Sequence, residues 1–172
     1  LMEQVKDALD GGITFLPLRE KDLEYDAFLQ EAIEMAKLSR KYGVPFVIND
    51  EVEIALKCGA DGVHVGQEDM ACRNARDILG PDKIIGVSVH NVKEALKAQA
   101  DGADYLGLGA VKATPTKTDA RVVEFEEIKK VCDAVNIPVV AIGGIKKDNM
   151  MELKGSHVDG IAVVSAIFGA EN

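Results

Sequence analysis

The chain has 172 residues, of which 47% are hydrophobic and 28% are charged, a balance that excludes a disordered chain and suffices for one packed domain. The formal net charge of -9 excludes a general nucleic-acid binder, because such proteins need an excess of Lys and Arg to displace counterions from phosphates. No apolar run approaches the roughly 18–20 residues that span a bilayer, and no basic segment followed by an apolar stretch opens the sequence, so we expect a cytoplasmic protein.

Helical periodicity alternates with short apolar runs along the whole sequence. Residues 1–9 place their apolar side chains on one helical face, and residues 13–18 form the first predicted strand. Further helices are predicted over 23–42, 51–58, 72–79, 92–100, 125–135 and 147–153. Further strands are predicted over 44–48, 62–66, 84–88, 105–108, 137–142 and 160–164. Each strand except the last is followed by a helix, which indicates a parallel α/β fold.

Internal similarity indicates that the fold is built from repeated units. Residues 55–66 are echoed by residues 95–109, both combining a helix end, a Gly-Ala-Asp turn and a glycine-rich strand. Residues 44–47 and 137–140 also match, each with a proline before a buried strand. These echoes favour a (β/α)8 barrel, the TIM barrel. The alternative is an open doubly wound sheet, whose usual Gly-x-Gly-x-x-Gly signature is absent.

Polar residues follow the predicted strands, where a parallel barrel has its active-site rim. Arg19 and Lys21 come after the first strand, where two cations could bind a diphosphate, although a solvated charge cluster would look the same. Asn49 and Asp50 end the second strand, and Asp69 follows the third. Because Mg²⁺ prefers a few carboxylates together with phosphate oxygens, Asp50 and Asp69 are candidate metal ligands; singly, either could be a turn or cap residue.

The later strands carry candidates for a phosphate site. Thr114, Thr116 and Lys117 fall in a predicted loop, and two hydroxyls with an ammonium group suit phosphate oxygens. Ser88 ends the fourth strand. The last two strands are followed by Gly143-Gly144 and Val164-Ser165, where barrels often bind phosphate with backbone N–H groups.

Taken in order, these motifs resemble the thiamine phosphate synthase family across almost the whole chain. The resemblance rests on Arg19-Glu20-Lys21, Asn49-Asp50, Gly-Gln-Glu-Asp at 66–69, Ser88, Thr-Pro-Thr-Lys at 114–117, Ile-Gly-Gly-Ile at 142–145 and Val164-Ser165. It implies a transferase that condenses hydroxymethylpyrimidine diphosphate with a thiazole phosphate, giving thiamine phosphate and pyrophosphate. The reaction would begin with early loss of pyrophosphate, after which the thiazole nitrogen captures the pyrimidine methylene cation.

The resemblance also implies roles for individual residues. Mg²⁺ would be held by Asp50 and Asp69. The pyrimidine diphosphate would be contacted by Arg19, Lys21, Asn49, Ser88 and Lys117, and of these Arg19, Lys21, Ser88 and Lys117 are the candidate catalytic residues. The thiazole phosphate would be bound by Thr114, Thr116, Gly144, Val164 and Ser165.

The sequence departs from the family at two positions and at both ends. Pro17 stands where the family usually has a glutamine that helps to bind the pyrimidine, and Lys112 stands where it often has an aromatic residue. We expect residues 1–172 to form a single barrel domain that is truncated relative to the family, without the first strand and the last helix.

Two other functions remain open. One is a related thiazole tautomerase, an isomerase that would not need the diphosphate-binding residues. The other is a non-catalytic protein that binds phosphorylated ligands. In each case the expected partners are phosphorylated small molecules, with neither nucleic acid nor membrane, and a homo-oligomer is possible.

Overall fold

The computed structural model describes residues 1–67, 72–113 and 121–163. By internal contacts the chain divides into two compact units, Leu1–Ile85 and Gly86–Asn172, which are described in turn. The single domain expected from the sequence stays a prediction. None of the described helices combines the length and the apolar character that crossing a membrane requires.

The first unit consists of parallel strands that alternate with helices. Its helices are α1 (Met2–Asp10), α2 (Tyr25–Lys41), α3 (Val52–Cys58) and α4 (Cys72–Leu79). Its strands are β1 (Leu16–Leu18), β2 (Phe46–Asn49) and β3 (Gly62–Val65), and β4 (Ile84–Val89) begins at its end. β2 lies between β1 and β3, with Leu18 opposite Ile48 and Asn49 opposite His64.

The second unit repeats this plan. It contains β4 from Gly86 onward and four further regular elements, α5 (Val92–Ala100), β5 (Tyr105–Leu108), α6 (Phe125–Ala134) and β6 (Val139–Ala141). A short 3-10 helix (Met150–Leu153) and β7 (Gly160–Ile161) follow. The strands pair in parallel in chain order from β4 to β7.

Each unit buries its apolar residues between strands and helices. In the first unit, Phe28, Ala32 and Met35 form the buried face of α2, which contacts β2 and α3. In the second, Leu106 and Ile128 are among the fully buried side chains. The seven strands expected from the apolar runs are all present in the described residues, which confirms the parallel α/β pattern.

The sequence echo around the two prolines corresponds to a repeated hydrogen-bond arrangement. The N–H of Phe46 at the start of β2 donates to Asp61 Oδ2 at 2.8 Å, and Asp61 N–H donates back to the Phe46 carbonyl at 2.8 Å. In the second unit, Val139 and Asp159 make the same two bonds, each at 2.8 Å. In each unit, therefore, an aspartate that precedes one strand fixes the first residue of the neighbouring strand: Asp61 before β3 fixes β2, and Asp159 before β7 fixes β6.

The structure differs from the predicted boundaries in two places. β1 begins only at Leu16, whose N–H donates to the Pro45 carbonyl at 2.9 Å. The predicted helix over 147–153 is present only as the 3-10 helix Met150–Leu153, and turns precede it. The Asn149 side chain accepts from Lys146 N–H and donates to the Gly144 carbonyl. These bonds bind the segment to the turn before it instead of continuing an α-helical ladder.

Candidate active site

Cationic and polar residues of the first unit follow two neighbouring strands at the same end. Arg19 and Lys21 follow β1 and are exposed, whereas Asn49 and Asp50 at the end of β2 are half-buried. Because β1 and β2 are parallel and Leu18 lies opposite Ile48, the residues that follow these two positions emerge at one edge. The structure therefore brings the two predicted cations to the same end of the strands as Asn49 and Asp50.

The Asn49-Asp50 turn is held by the backbone of the next strand. Asp50 adopts a left-handed conformation with φ of 70°, and its N–H donates to the His64 carbonyl at 2.9 Å. Asn49 Oδ1 is buried and has no hydrogen-bond partner among the described residues. A buried acceptor without a partner costs about 1–3 kcal/mol, so this oxygen suits a donor or a cation that arrives with a ligand.

These oxygen atoms fit the magnesium diphosphate predicted from the sequence. Among the residues that the structure describes, no three His, Cys, Asp or Glu side chains group as a metal site. Mg²⁺ seldom needs such a group, because it is commonly bound by one or two carboxylates together with substrate phosphates and water. Asp50 provides a carboxylate, a hard oxygen ligand of the kind that Mg²⁺ prefers, and the Asn49 amide beside it suits a contact with the substrate.

The first unit contains a half-buried glutamate, Glu31, that sequence reasoning missed. Glu20 belongs to the loop after β1, and Glu31 lies in α2 three residues after the buried Phe28, where its Oε1 is buried. Burial raises the pKa of Glu31 to about 7, and a hydrogen bond with Glu20 and the charge of Glu20 raise it as well. The available signal was an acidic residue at helical spacing from Phe28 and Met35 on an otherwise apolar face.

In the second unit, the turn after β6 packs directly on the loop after β5. Gly144 has φ of 67°, and a Cβ atom added to it would lie 2.6 Å from the Ala113 carbonyl oxygen and 2.7 Å from that of Lys112. The backbone at Ala113 is therefore in contact with Gly144. The contact therefore joins the turn that carries Gly144, a predicted thiazole phosphate residue, to the described part of the loop after β5.

The second unit also contains Ser88, a predicted contact of the pyrimidine diphosphate, and Lys112, a departure from the family pattern. Ser88 is half-buried in β4 opposite Gly107 of β5. Lys112, at the position where the family often has an aromatic residue, forms an ion pair with Glu152 of the 3-10 helix. The lysine thus connects the loop after β5 to the segment that follows Gly144, a role that the sequence did not predict.

The remaining predicted site residues lie outside the described residues. They are Asp69, Thr114, Thr116, Lys117, Val164 and Ser165. Their roles stay predictions, as do those of the described candidates.

The parallel strands with polar carboxyl ends define the class of the protein as an α/β enzyme of the TIM-barrel type. Over 98% of this chain and 81% of the other, the fold matches the solved thiamine phosphate pyrophosphorylase from Pyrococcus furiosus with a TM-score of 0.92 and 45% identity. The family model for thiamine monophosphate synthase matches residues 1–167. The chain belongs to the thiamine monophosphate synthase family.

Individual relatives agree with this assignment. The chain is 46% identical over 171 residues to the thiamine-phosphate synthase of Clostridium acetobutylicum, covering 99% of this chain and 81% of that protein. It is 49% identical over 168 residues to the thiamine-phosphate synthase of Methanobrevibacter smithii, covering 98% and 80%. The predicted family, fold class and enzyme class, a transferase of thiamine biosynthesis, are confirmed; neither the tautomerase nor the non-catalytic alternative is favoured.

Proposed function

We propose that this chain condenses hydroxymethylpyrimidine diphosphate with a thiazole phosphate in a magnesium-dependent reaction, using the residues predicted from the sequence. The observation that carries the proposal is the half-buried Asn49-Asp50 pair at the same end of the strands as Arg19 and Lys21, with Asn49 Oδ1 buried and without a partner among the described residues. The diphosphate would supply anionic oxygen atoms that pair with Arg19 and Lys21, and its magnesium ion would supply a positive charge that pairs with the Asp50 carboxylate. Magnesium, when bound, neutralises negative charge that develops on the pyrophosphate leaving group.

The residues of this chain bind and orient the two substrates. Arg19 and Lys21 contact the diphosphate oxygens and stabilise the leaving group, because their charges face the atoms on which negative charge increases. Asp50 holds the metal together with Asp69, and Asn49 contacts the pyrimidine diphosphate. Ser88 and Lys117 complete the contacts to that substrate.

The thiazole phosphate is held by the second group of predicted residues. Gly144 allows close approach of a ligand to the backbone, and its contact with the loop after β5 supports a common phosphate site with Thr114 and Thr116. Val164 and Ser165 contribute from the end of the last strand. Holding both substrates in one orientation brings the thiazole nitrogen in line with the pyrimidine methylene, which lowers the barrier without a general base.

A pyrophosphate-release assay tests the proposal. Release should require both substrates and Mg²⁺, and Asp50→Asn should decrease kcat/KM on the order of 100-fold or more, because the variant loses a metal carboxylate. Asparagine is the right replacement, because it tolerates the left-handed backbone at this position. The matched control is Asp82→Asn, the same change at an exposed turn before β4, which should leave kcat/KM unchanged.

Full activity of Asp50→Asn, or release that is unaffected by chelation of Mg²⁺, would contradict the metal assignment. The cytoplasmic location and the possible homo-oligomer stay predictions. Fractionation of the native cells and light scattering of the purified chain would check them.

A further inference from the structure

The side chain of Asn149 makes two hydrogen bonds to the turn that follows β6, residues 143–146. We infer that Asn149 is a positioning residue for the thiazole phosphate site: its amide fixes the Gly144 carbonyl and so directs the neighbouring backbone N–H groups toward the phosphate. This inference rests on the proposed function and deepens it, because it assigns affinity for one substrate to a residue outside the predicted contacts of that substrate.

The orientation of the Asn149 amide is fixed by the backbone groups on either side of it. Its Oδ1 accepts from Lys146 N–H at 2.8 Å, and its Nδ2 donates to the Gly144 carbonyl at 2.9 Å. Because a backbone N–H can only donate and a carbonyl can only accept, the two ends of the amide cannot be exchanged. The Asn149 N–H also donates to the Lys146 carbonyl at 3.1 Å, so backbone and side chain together hold the residue against the turn.

These bonds set the directions of two peptide planes at Gly144. In a trans peptide the C=O of one residue and the N–H of the next lie in one plane and point in opposite directions. The bond from Asn149 to the Gly144 carbonyl therefore directs the Ile145 N–H away from Asn149. The Gly143 carbonyl accepts from Lys112 N–H at 3.1 Å, which directs the Gly144 N–H away from Lys112 in the same way.

The N–H groups of Gly144 and Ile145 are available to a ligand. Neither donates a hydrogen bond to another residue in the described part of the chain. Successive backbone N–H groups in a turn bind anionic oxygen atoms, and Gly143 and Gly144 have no side chains that would cover them. A phosphate at this turn would therefore receive donors whose directions depend on the bond from Asn149 to the Gly144 carbonyl.

An exposed ion pair lies beside this bond and makes a much weaker contribution to the turn. Lys112 pairs with Glu152 of the 3-10 helix, which begins directly after Asn149. The Glu152 side chain is 61% exposed, and solvent screens such a pair, whereas the bond from Asn149 to the Gly144 carbonyl is part-buried. We therefore expect Asn149, and not the ion pair, to control the position of the turn.

Asn149→Asp tests the bond to Gly144 directly. Aspartate has nearly the same shape and keeps an acceptor for Lys146 N–H, but its carboxylate cannot donate to the Gly144 carbonyl. KM for the thiazole phosphate should rise about threefold to tenfold, the effect of one lost hydrogen bond, while kcat at saturation and KM for the pyrimidine diphosphate stay unchanged. Asn149→Ala should raise the same KM at least as much without adding a negative charge, which separates the lost bond from repulsion of the phosphate.

Two control variants separate positioning from a general loss of stability. Glu152→Gln removes the ion pair of the same segment and should leave KM for the thiazole phosphate unchanged. Asn91→Ala removes another asparagine that accepts a backbone N–H three residues away, that of Glu94 at 2.9 Å. This second control should lower the midpoint of urea unfolding, as Asn149→Ala does, but without a change in KM for the thiazole phosphate.

Amide NMR measures the same effect without turnover. On titration with thiazole phosphate, the signals of Gly144 and Ile145 should shift in the wild type, and the Kd should be about threefold to tenfold higher in Asn149→Asp. Three results would overturn the inference: no shift of these two signals in the wild type, an unchanged Kd and KM in both Asn149 variants, or an equal rise of KM in a control variant.

Failure of the proposed function is a different outcome. In that case the wild type releases no pyrophosphate from the two substrates, while the NMR titrations of the wild type and the Asn149 variants still decide whether Asn149 controls binding of the thiazole phosphate.

Discussion

Substitution of Gly144 by alanine tests the contact between the turn after β6 and the loop after β5. Alanine at φ of 67° meets the strain of the left-handed region, about 1 kcal/mol. Its Cβ would also lie 2.6 Å from the Ala113 carbonyl oxygen, whereas ordinary contacts begin at 3.4 Å, so the two backbones must separate by 0.8 Å, the difference of those distances. Such overpacking adds about 1–3 kcal/mol of destabilisation.

The same displacement moves the chain next to Thr114, one of the predicted thiazole phosphate residues. A misplacement of about 1 Å reduces the rate of an oriented reaction about 100-fold. We therefore expect Gly144→Ala to lower kcat/KM for the thiazole phosphate about 10-fold to 100-fold and to lower the free energy of unfolding by about 2–4 kcal/mol.

The control is Gly155→Ala, because Gly155 has φ of 86° and a Cβ there would meet no atom within 4 Å. This variant has the backbone strain without the steric clash. Its free energy of unfolding should therefore fall by about 1 kcal/mol, and its KM for the thiazole phosphate should be unchanged. Urea unfolding and steady-state kinetics of the two variants give the comparison. Equal stability and equal KM in both variants would refute the close approach at Gly144.

Three further predictions use other parts of the molecule. Pro17→Gln restores the family's glutamine at an exposed position of β1. The variant should have a KM for the pyrimidine diphosphate about threefold to tenfold lower at constant kcat, because it gains about one hydrogen bond to the substrate. An unchanged KM would contradict this prediction. Asp61→Ala removes the acceptor of Phe46 N–H and should lower the free energy of urea unfolding by about 1–3 kcal/mol, more than Asp61→Asn. Glu31→Gln should increase stability relative to the wild type by about 1–2 kcal/mol at pH 8.5, after allowance for solvent screening, and by almost nothing at pH 4. The sign follows because the pKa of Glu31 is raised to about 7 in the folded protein, so the wild type loses stability as the pH rises from 4.5 through 7; urea unfolding that shows the same difference at both pH values would contradict it.

The order of the elements could be predicted because apolar runs and helical periodicity are properties of neighbouring residues. The strands over β2, β4 and β5 were located within two residues, since each is an apolar run between turn residues. The segment 147–153 has the spacing of a helix, yet the Asn149 side chain bonds to the preceding turn instead. A side chain that competes with the backbone is invisible to a periodicity argument.

For the candidate site, the sequence predicts which residues follow each strand, but it does not predict their contacts. Arg19, Lys21, Asn49 and Asp50 come together because parallel strands end at one edge, a rule that applies to sequence positions. The raised pKa of Glu31 could not be predicted, because the spacing places the residue on the buried face of α2 but does not show which charges surround it. Asn49 Oδ1 lacks a partner among the described residues because that one atom is buried, which no sequence pattern specifies.

The polar groups at the two ends of β2 differ in whether the protein itself satisfies their hydrogen bonds. At the entry of β2, Asp61 makes two hydrogen bonds to the Phe46 backbone, and Asp159 repeats them for Val139, so the polar groups in these bonds are satisfied within the protein. At the exit of β2, by contrast, the buried Asn49 Oδ1 has no partner in the part of the chain that the structure describes. An unsatisfied buried acceptor adds nothing to stability, and under the proposed function it would be satisfied by the pyrimidine diphosphate that binds at the exit of the strands.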